Sequence, residues 1–274
     1  MKLLIITGPT ASGKTAEAIR LAQELGTEIV SCDSRQFYRE MRIGVARPSD
    51  EELAAARHHF IACRSVTNPY NIFDYEHDAL TLLDDLFSRH ETVVVVGGSG
   101  LYVDALRLGV TSMPDPTPEL RARLQQMPLE EKRAQLQLLD PEYYAQVDLR
   151  NPVRLQRALE VCYMTGRPYS QVVADRQPVK RPFDIEVRVT QIPAADLRTR
   201  IDRRVDQMMT DGLLEEVQSL LPYRNLSTLR TVGYRELFPV LDGTRNLADA
   251  VAEIKLNTWH YARKQMTWCR RYTV

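Results

Sequence analysis

The chain has 274 residues, enough for one α/β domain with a smaller appendage, and its composition is ordinary for a globular protein. Lys and Arg number 36, as do Asp and Glu, and this zero net charge argues weakly against a nonspecific nucleic-acid coat. No hydrophobic run approaches the roughly 20 residues that span a bilayer, so no membrane partner is expected. The cysteines lack zinc-site spacing and are predicted to be reduced thiols in a cytoplasm: Cys32, Cys63, Cys162 and Cys269.

The first predicted element is a buried strand over residues 2–7, which runs directly into the next motif and is not expected to be a signal peptide. Gly8 to Thr15 has the sequence GPTASGKT, the spacing of a P-loop, and helical periodicity follows from Ala16. Loop N–H groups and a helix N-terminus form a cradle for phosphate oxygens. Lys14 adds a mobile positive charge and Thr15 a hydroxyl for Mg²⁺. The motif predicts a bound diphosphate or triphosphate.

Two more buried strands are predicted to end at the same edge of a sheet. Residues 28–32 lead to Asp33, and the four valines of residues 92–97 lead to Ser99. A short strand is expected at residues 60–63 and an amphipathic helix at 74–87. Ligands of doubly wound parallel sheets bind outside the carboxyl ends of the strands, so the P-loop, Asp33 and Ser99 should converge on one crevice.

A proline-rich stretch at residues 113–118 predicts a domain boundary. From Thr117 to about Asp175 the pattern is helical only, with Thr117 and Asn151 as N-caps before Pro and Gly166 at a helix end. We therefore expect a small all-helical insertion at 115–179 within a core of residues 1–114 and 180–274. A strand at 183–192 is predicted to rejoin the sheet, followed by helices at 196–211, 213–221, 232–241 and 247–268.

Asp33 is the first chemical candidate outside the P-loop. A carboxylate at the end of a strand beside a phosphate cradle can ligate Mg²⁺, act as a general base or cap a turn, and the residues alone do not choose among these. His58 and His59 lack a partner at metal-ligand spacing and are predicted to be structural.

Over its whole length the chain resembles the tRNA dimethylallyltransferases, which prenylate an adenosine beside the tRNA anticodon. The resemblance depends on many short motifs in the family's order, no one of which would suffice. They are the P-loop, Asp33-Ser-Arg-Gln36, Ile43-Gly44, Gly97-Gly-Ser-Gly-Leu-Tyr102, Arg154-Leu-Gln-Arg-Ala-Leu-Glu-Val161, Arg200-Ile201 with Arg204, Glu216-Val217, Val232-Gly-Tyr-Arg235 and Arg263-Lys-Gln-Met-Thr-Trp268.

The resemblance implies a P-loop NTPase-like parallel sheet flanked by helices, with a cradle that holds dimethylallyl diphosphate and Mg²⁺ instead of ATP. Asp33 would be the general base for the N6 amine of adenine, and Thr10 would orient the amine and Asp33. Arg204 would clamp the diphosphate. The implied diphosphate-binding residues are Gly8, Pro9, Thr10, Ala11, Ser12, Gly13, Lys14 and Thr15, with Thr15 on Mg²⁺.

The implied acceptor is the anticodon stem-loop of tRNA, held by the helical insertion, with adenosine 37 extruded from its stack. Arg154 and Arg157 are spaced as a phosphate-facing pair, although two solvated arginines on an amphipathic helix have the same spacing. The protein is expected to be a monomer. The tRNA contacts that the resemblance implies are Asp33, Ser34, Arg35, Gln36, Ser99, Gln156, Arg157, Ala158, Leu159 and Glu160.

Two other enzyme classes fit part of the pattern. A P-loop kinase of a small metabolite or nucleotide needs only the P-loop and a base for a hydroxyl acceptor. An adenylate isopentenyltransferase would use the same catalytic core on free nucleotides. The helical insertion favours tRNA, because a free nucleotide needs no clamp.

Overall fold

The apolar run after Met1 forms the predicted strand, and it lies within a parallel sheet. In the part of the chain that is described, the sheet has five strands, which are β1 (Lys2–Thr7), β2 (Ile29–Ser31), β3 (His58–His59), β4 (Thr92–Gly97) and β5 (Asp184–Val189). Their order across the sheet is β3-β2-β4-β1-β5. All the strand pairs are parallel, so the strands' carboxyl ends share one edge.

The computed structural model describes residues 1–110, 113, 115–175 and 179–272. The chain divides into two units, which are Met1–Val110 with Lys180–Val274, and Thr111–Val179. The helices are α1 (Lys14–Leu25), α2 (Asp50–Ala55), α3 (Ile72–Phe87), α4 (Gly100–Leu108), α5 (Pro118–Gln126), α6 (Leu129–Leu139), α7 (Pro141–Gln146), α8 (Pro152–Thr165), α9 (Tyr169–Ala174), α10 (Ala194–Thr210), α11 (Leu213–Ser219), α12 (Phe238–Leu241) and α13 (Leu247–Cys269).

The sheet is covered by helices on both faces, which explains the unbroken apolar runs of its central strands. Leu3 and Ile5 of β1 pack in a cluster with buried residues of α3 and α4. Leu4 and Ile6 point to the opposite face and pack against α1. Because successive side chains of a strand alternate between faces, β1 needs apolar residues at every position. The predicted α/β fold is confirmed.

Two predicted elements lie elsewhere in the structure, and some helices have no predicted counterpart. The short third strand is His58–His59, not residues 60–63, because Phe60 and Ala62 adopt positive φ angles of 60° and 51°, which end an extended strand. The helix predicted from 232 begins at Phe238, after Gly233 with φ of 95°. Three further helices, α2, α4 and α7, lie where no helix is predicted from the sequence.

The unit Thr111–Val179 contains helices α5 to α9, and its described residues form no strand. The predicted N-caps are confirmed, since the Thr117 and Asn151 side chains each accept a hydrogen bond from a backbone N–H at 3.2 Å. Gly166 ends α8 in the left-handed conformation, as expected of a glycine C-cap. The apolar core of this unit contains Leu124, Leu136, Leu155, Ala158 and Leu159.

The predicted strand after the insertion is confirmed, and it pairs with β1 along its full length. The loops after β1, β2 and β4 carry the P-loop, Asp33 and Ser99, and Thr190 follows β5. In an open parallel sheet this edge is the usual place for a ligand. Within the described part of the chain, no helix has the length and apolar character needed to cross a bilayer. The four cysteines are free thiols, as predicted.

Candidate active site

The P-loop leaves β1 through a tight approach to the loop after β5. A side chain at Gly8 would overlap the Thr190 hydroxyl, so the position requires glycine. The Ser12 hydroxyl lies 2.7 Å from the Thr190 hydroxyl, and Ser12 N donates to Pro9 O at 3.3 Å. Ala11, with φ of 62°, and Gly13, with φ of 91°, complete the turn into α1. Gly8, Pro9 and Ser12 thus shape the loop itself.

Two half-buried cations face the space beside the P-loop. Lys14 donates from Nζ to Pro9 O at 3.3 Å, and Arg204 of α10 donates from Nη1 to the Thr10 hydroxyl at 3.2 Å. Burial lowers the pKa of both groups, and Asp33 opposes this effect at Lys14. Among the described residues, neither cation forms an ion pair with a carboxylate. Positive charges that are partly withdrawn from water without an ion-pair partner favour an anionic ligand.

Two cavities meet at these cations. The smaller, of about 260 Å³, is lined by Ala11, Gly13 and Thr15 of the P-loop region. The larger, of about 480 Å³, is lined by Ser34, Arg35 and basic residues of the C-terminal segments. Cavities of this size suit small substrates or a single base. Six residues contribute to the lining of both cavities, namely Thr10, Lys14, Asp33, Val45, Ala46 and Arg204.

Asp33 lies where the two cavities join, as the convergence at the carboxyl edge predicts. Its Oδ1 accepts a hydrogen bond from Arg35 N at 3.0 Å, so the carboxylate also stabilises the turn after β2. That contact fixes the carboxylate while it faces both cavities. A positioned carboxylate between an anion cradle and a second cavity can accept a proton from a group that reacts there.

The other residues of the Asp33 segment are also held by protein contacts. The Ser99 hydroxyl accepts from Ser34 N at 3.2 Å and lies 3.2 Å from the Ser34 hydroxyl. Arg35 Nη1 donates to Thr228 O at 2.9 Å. Gln36 lines the smaller cavity, and its amide donates to Ala46 O at 2.9 Å. That these residues contact tRNA stays a prediction.

The implied tRNA contacts on α8 need a correction at two positions. Ala158 and Leu159 are fully buried in the core of their unit, so their side chains pack the helix and are not accessible to RNA. Glu160 is buried and accepts hydrogen bonds from Gln156 at 3.0 Å and from Arg157 at 3.2 Å. Arg154 is exposed on the same helix. A run of five consecutive helical residues includes a buried face, which the motif alone does not show.

Gln265 of α13 is a site residue that the sequence did not reveal. Its Oε1 accepts from Thr10 N at 2.8 Å, and its Nε2 donates to Gly98 O at 2.8 Å. The side chain is buried and joins the P-loop to the loop after β4. A side chain at Gly98 would overlap the Gln265 amide. The one feature of the sequence that pointed to Gln265 was the motif Arg263-Lys-Gln-Met-Thr-Trp268, which contributed to the family resemblance but assigned Gln265 no role.

The fold and the site define an α/β P-loop protein with an anion cradle, a carboxylate beside it and a second cavity. Residues 36–272 match the family model described as IPP transferase. The chain belongs to the IPP transferase family, so the resemblance is confirmed and the prediction of a transferase holds at the level of the family.

Similar proteins cover nearly the whole chain. The tRNA dimethylallyltransferase of Christiangramia forsetii is 44% identical in an alignment 274 positions long, which covers 98% of this chain and 90% of the relative. The tRNA delta(2)-isopentenylpyrophosphate transferase of Staphylococcus epidermidis has a TM-score of 0.71 at 28% identity, covering 100% of this chain and 91% of that chain. A eukaryotic dimethylallyltransferase acting on tRNA has a TM-score of 0.83 at 25% identity, covering 98% of this chain and 69% of that chain.

Proposed function

We propose that this protein transfers a dimethylallyl group from dimethylallyl diphosphate to N6 of adenosine 37 in tRNA. The observation that carries the proposal is the shared space where Lys14, Arg204 and Asp33 meet between two cavities. Two cations suit the diphosphate of the donor, and the carboxylate suits an amine that must lose a proton. The family and the names of the relatives support the same reaction.

In this reaction the bond between the allylic carbon and the diphosphate oxygen breaks, and a bond from N6 to that carbon forms. Asp33 takes the proton that N6 loses as its bond to the carbon forms, and this assists an amine whose delocalised lone pair makes it a poor nucleophile. Lys14 and Arg204 stabilise the negative charge that develops on the departing diphosphate. Thr10, held by Gln265 and Arg204, lines the same two cavities as Asp33.

Mg²⁺ fits this donor set as a companion of the diphosphate. Thr15 lines the smaller cavity together with Asp33, and Mg²⁺ commonly takes one or two protein oxygens with substrate phosphates and water. When bound, the ion supplies additional charge stabilisation to the leaving group. Among the described residues, no group of three or more His, Cys, Asp or Glu is placed to hold a metal.

The larger cavity suits the adenine that tRNA presents. Arg35 and Arg230 line it together with His260, Tyr261 and Lys264, which offer positive charge and an aromatic ring. Base recognition outside a helix commonly combines such stacking with polar contacts. We also propose that the protein acts as a monomer in the cytoplasm, where its tRNA acceptor occurs. Light scattering after size exclusion tests the monomer.

Transfer of label from radiolabelled dimethylallyl diphosphate with Mg²⁺ tests the reaction. The acceptors are an unmodified tRNA with adenosine after the anticodon, the same tRNA with guanosine there, and AMP and ATP. Label on the first tRNA alone is the expected result. Label on AMP or ATP would move the acceptor to free nucleotides. Phosphoryl transfer from ATP without prenyl transfer would instead support a kinase.

A further inference from the structure

The space shared by the two cavities has one apolar side. Of the six residues common to both cavities, Val45 and Ala46 are apolar, while Thr10, Lys14, Asp33 and Arg204 are polar or charged. Val45 and Ala46 belong to residues 42–46, which we call the wall loop. A five-carbon chain placed between the cations and Asp33 requires apolar contact, and the wall loop supplies it.

Glu216 of α11 holds the wall loop by its backbone. Its Oε2 accepts hydrogen bonds from Arg42 N at 3.0 Å and Ile43 N at 2.7 Å, and its Oε1 accepts from Gly44 N at 3.1 Å. Three consecutive N–H groups thus converge on one carboxylate. Charge-assisted hydrogen bonds of this kind are stronger than neutral ones, so this contact fixes the backbone of the loop.

Tyr234 completes the attachment from the protein interior. Its hydroxyl donates to Glu216 Oε1 at 2.6 Å, and the side chain is fully buried. Burial and the adjacent Glu216 carboxylate raise the pKa of Tyr234, which keeps the hydroxyl protonated as a donor. A Cβ at Gly44 would lie 2.5 Å from Cε2 of the Tyr234 ring, so the loop approaches the ring closely only because residue 44 is glycine.

The end of the wall loop near Asp33 has a second attachment. Gln36, three residues after Asp33, donates from its amide to Ala46 O at 2.9 Å. Ala46 itself has φ of 48°, in the left-handed region that a residue with a side chain seldom adopts unless its surroundings hold it there. The wall loop is therefore held by Glu216 at the N–H groups of residues 42–44 and by Gln36 at the carbonyl of Ala46, on either side of Val45.

We propose that Glu216, held by Tyr234, is a positioning residue that sets the wall loop so that Val45 and Ala46 pack against the prenyl chain of the donor. This inference rests on the proposed function. It assigns a role to three motifs that the proposed chemistry leaves unused, at Ile43-Gly44, Glu216-Val217 and Val232-Gly-Tyr-Arg235. In the proposed function Lys14 and Arg204 bind the diphosphate end of the donor, so the role of Glu216 concerns the prenyl end.

Glu216→Gln tests the proposal, because its amide group can accept fewer of the three N–H groups. The matched control is Glu215→Gln, a neighbouring exposed position on the same helix. Initial rates at saturating tRNA give the KM for dimethylallyl diphosphate, and inhibition by inorganic diphosphate gives its Ki. We expect Glu216→Gln to raise the KM about tenfold while the Ki for inorganic diphosphate changes less than about twofold. Glu215→Gln should match the wild type in both.

The separation of KM from Ki distinguishes positioning of the prenyl chain from general damage to the site. Parallel changes in KM and Ki, or no change in either, would overturn the proposal. Tyr234→Phe keeps the ring against Gly44 and removes only the hydroxyl. It is the second test variant if Glu216→Gln does not fold, and we expect it to raise the KM for dimethylallyl diphosphate about threefold. A wild-type protein that transfers no prenyl group would instead contradict the proposed function itself.

Discussion

At the scale of single residues, the site consists of groups whose neighbours decide what they can do. Lys14 and Arg204 lack carboxylate ion-pair partners in the described chain, whereas Asp33 is fixed by Arg35 N at 3.0 Å. The sequence left three roles open for Asp33. Its place between two cavities is compatible with the role of general base and with a contact to Mg²⁺. Its hydrogen bond from Arg35 N shows that it also caps a turn.

Asp33→Asn should abolish most of the transfer while it leaves tRNA binding intact. The amide keeps the shape and the acceptor for Arg35 N but is not a base, so kcat should fall by about 10² to 10⁴-fold. Single-turnover transfer measures the chemical step, and a filter assay measures tRNA binding. Asp84→Asn, exposed on α3, is the control. An equal loss of tRNA affinity would contradict the assignment of Asp33 as the base.

Gln265→Met should lower both stability and activity. It leaves the Thr10 N–H and the Gly98 carbonyl without the partners they now have at 2.8 Å, which costs about 1–3 kcal/mol for each buried group. Displacement of Thr10 should reduce kcat/KM about 10 to 100-fold. Urea unfolding and transfer rates measure the two effects, with Gln218→Met at an exposed position of α11 as the control. Unchanged kcat/KM in a folded variant would show that Thr10 needs no such support.

At the scale of elements, the two edges of the sheet carry different groups of residues. The carboxyl edge carries the site, and the amino edge carries an ion cluster around Glu28, which precedes β2. Glu28 accepts from His59 Nε2 at 2.6 Å and from Arg89 Nη1 at 2.7 Å, and it lies 3.4 Å from Arg57. His59 therefore has the structural environment that was predicted for it. The cluster connects β2, β3 and the turn before β4.

Glu28→Gln should destabilise the protein at neutral pH and have less effect in acid. Burial alone would raise the pKa of Glu28, but the hydrogen bonds from Arg89 and His59 outweigh it and lower the pKa to about 2. A lowered folded-state pKa stabilises the fold above pH 4.5 and loses that contribution as pH falls towards 2. We expect a loss of about 2–3 kcal/mol at pH 7.

Urea unfolding of Glu28→Gln and wild type at pH 7 and pH 3 measures that difference. Glu24→Gln, whose carboxylate is exposed and pairs with Arg20, is the control and should show little effect at either pH. A difference between Glu28→Gln and wild type that does not shrink in acid would contradict the assigned pKa.

At the scale of the whole molecule, zero net charge means that affinity for tRNA has to come from local groups of basic residues. Several basic residues line the larger cavity, and Arg154 is exposed on α8. Arg157, its predicted companion, pairs instead with buried Glu160 at 3.2 Å. The two arginines are therefore not equivalent, although their spacing in the sequence suggested a pair.

Arg154→Ala should weaken tRNA binding and reduce its salt dependence. Each phosphate contact that is lost lowers the slope of log K against log salt by about one unit. Filter binding between 50 and 200 mM salt measures the slope. Arg20→Ala on α1, an arginine engaged by Glu24 at 2.6 Å, is the control. An unchanged slope would mean that Arg154 is a solvated helix residue, the alternative that its spacing allows.

The sequence by itself determined the parallel sheet, the P-loop, the place of Asp33 and the helical character of residues 118–174, because each depends on a local pattern. Strand burial, the glycine spacing and the N-caps are properties of neighbouring residues. Even so, boundaries shifted where positive φ angles intervened, as at Phe60 and Ala62.

Only the tertiary structure decided which residues support the site. Gln265 meets Thr10 across 255 positions of the chain, and Glu216 meets Gly44 across 172. Such hydrogen bonds produce no periodicity in the sequence, because they depend on where the folded helices place two distant segments. Burial likewise separated Ala158 and Leu159 from the accessible residues of α8, since which face of a helix is buried depends on the helices packed against it.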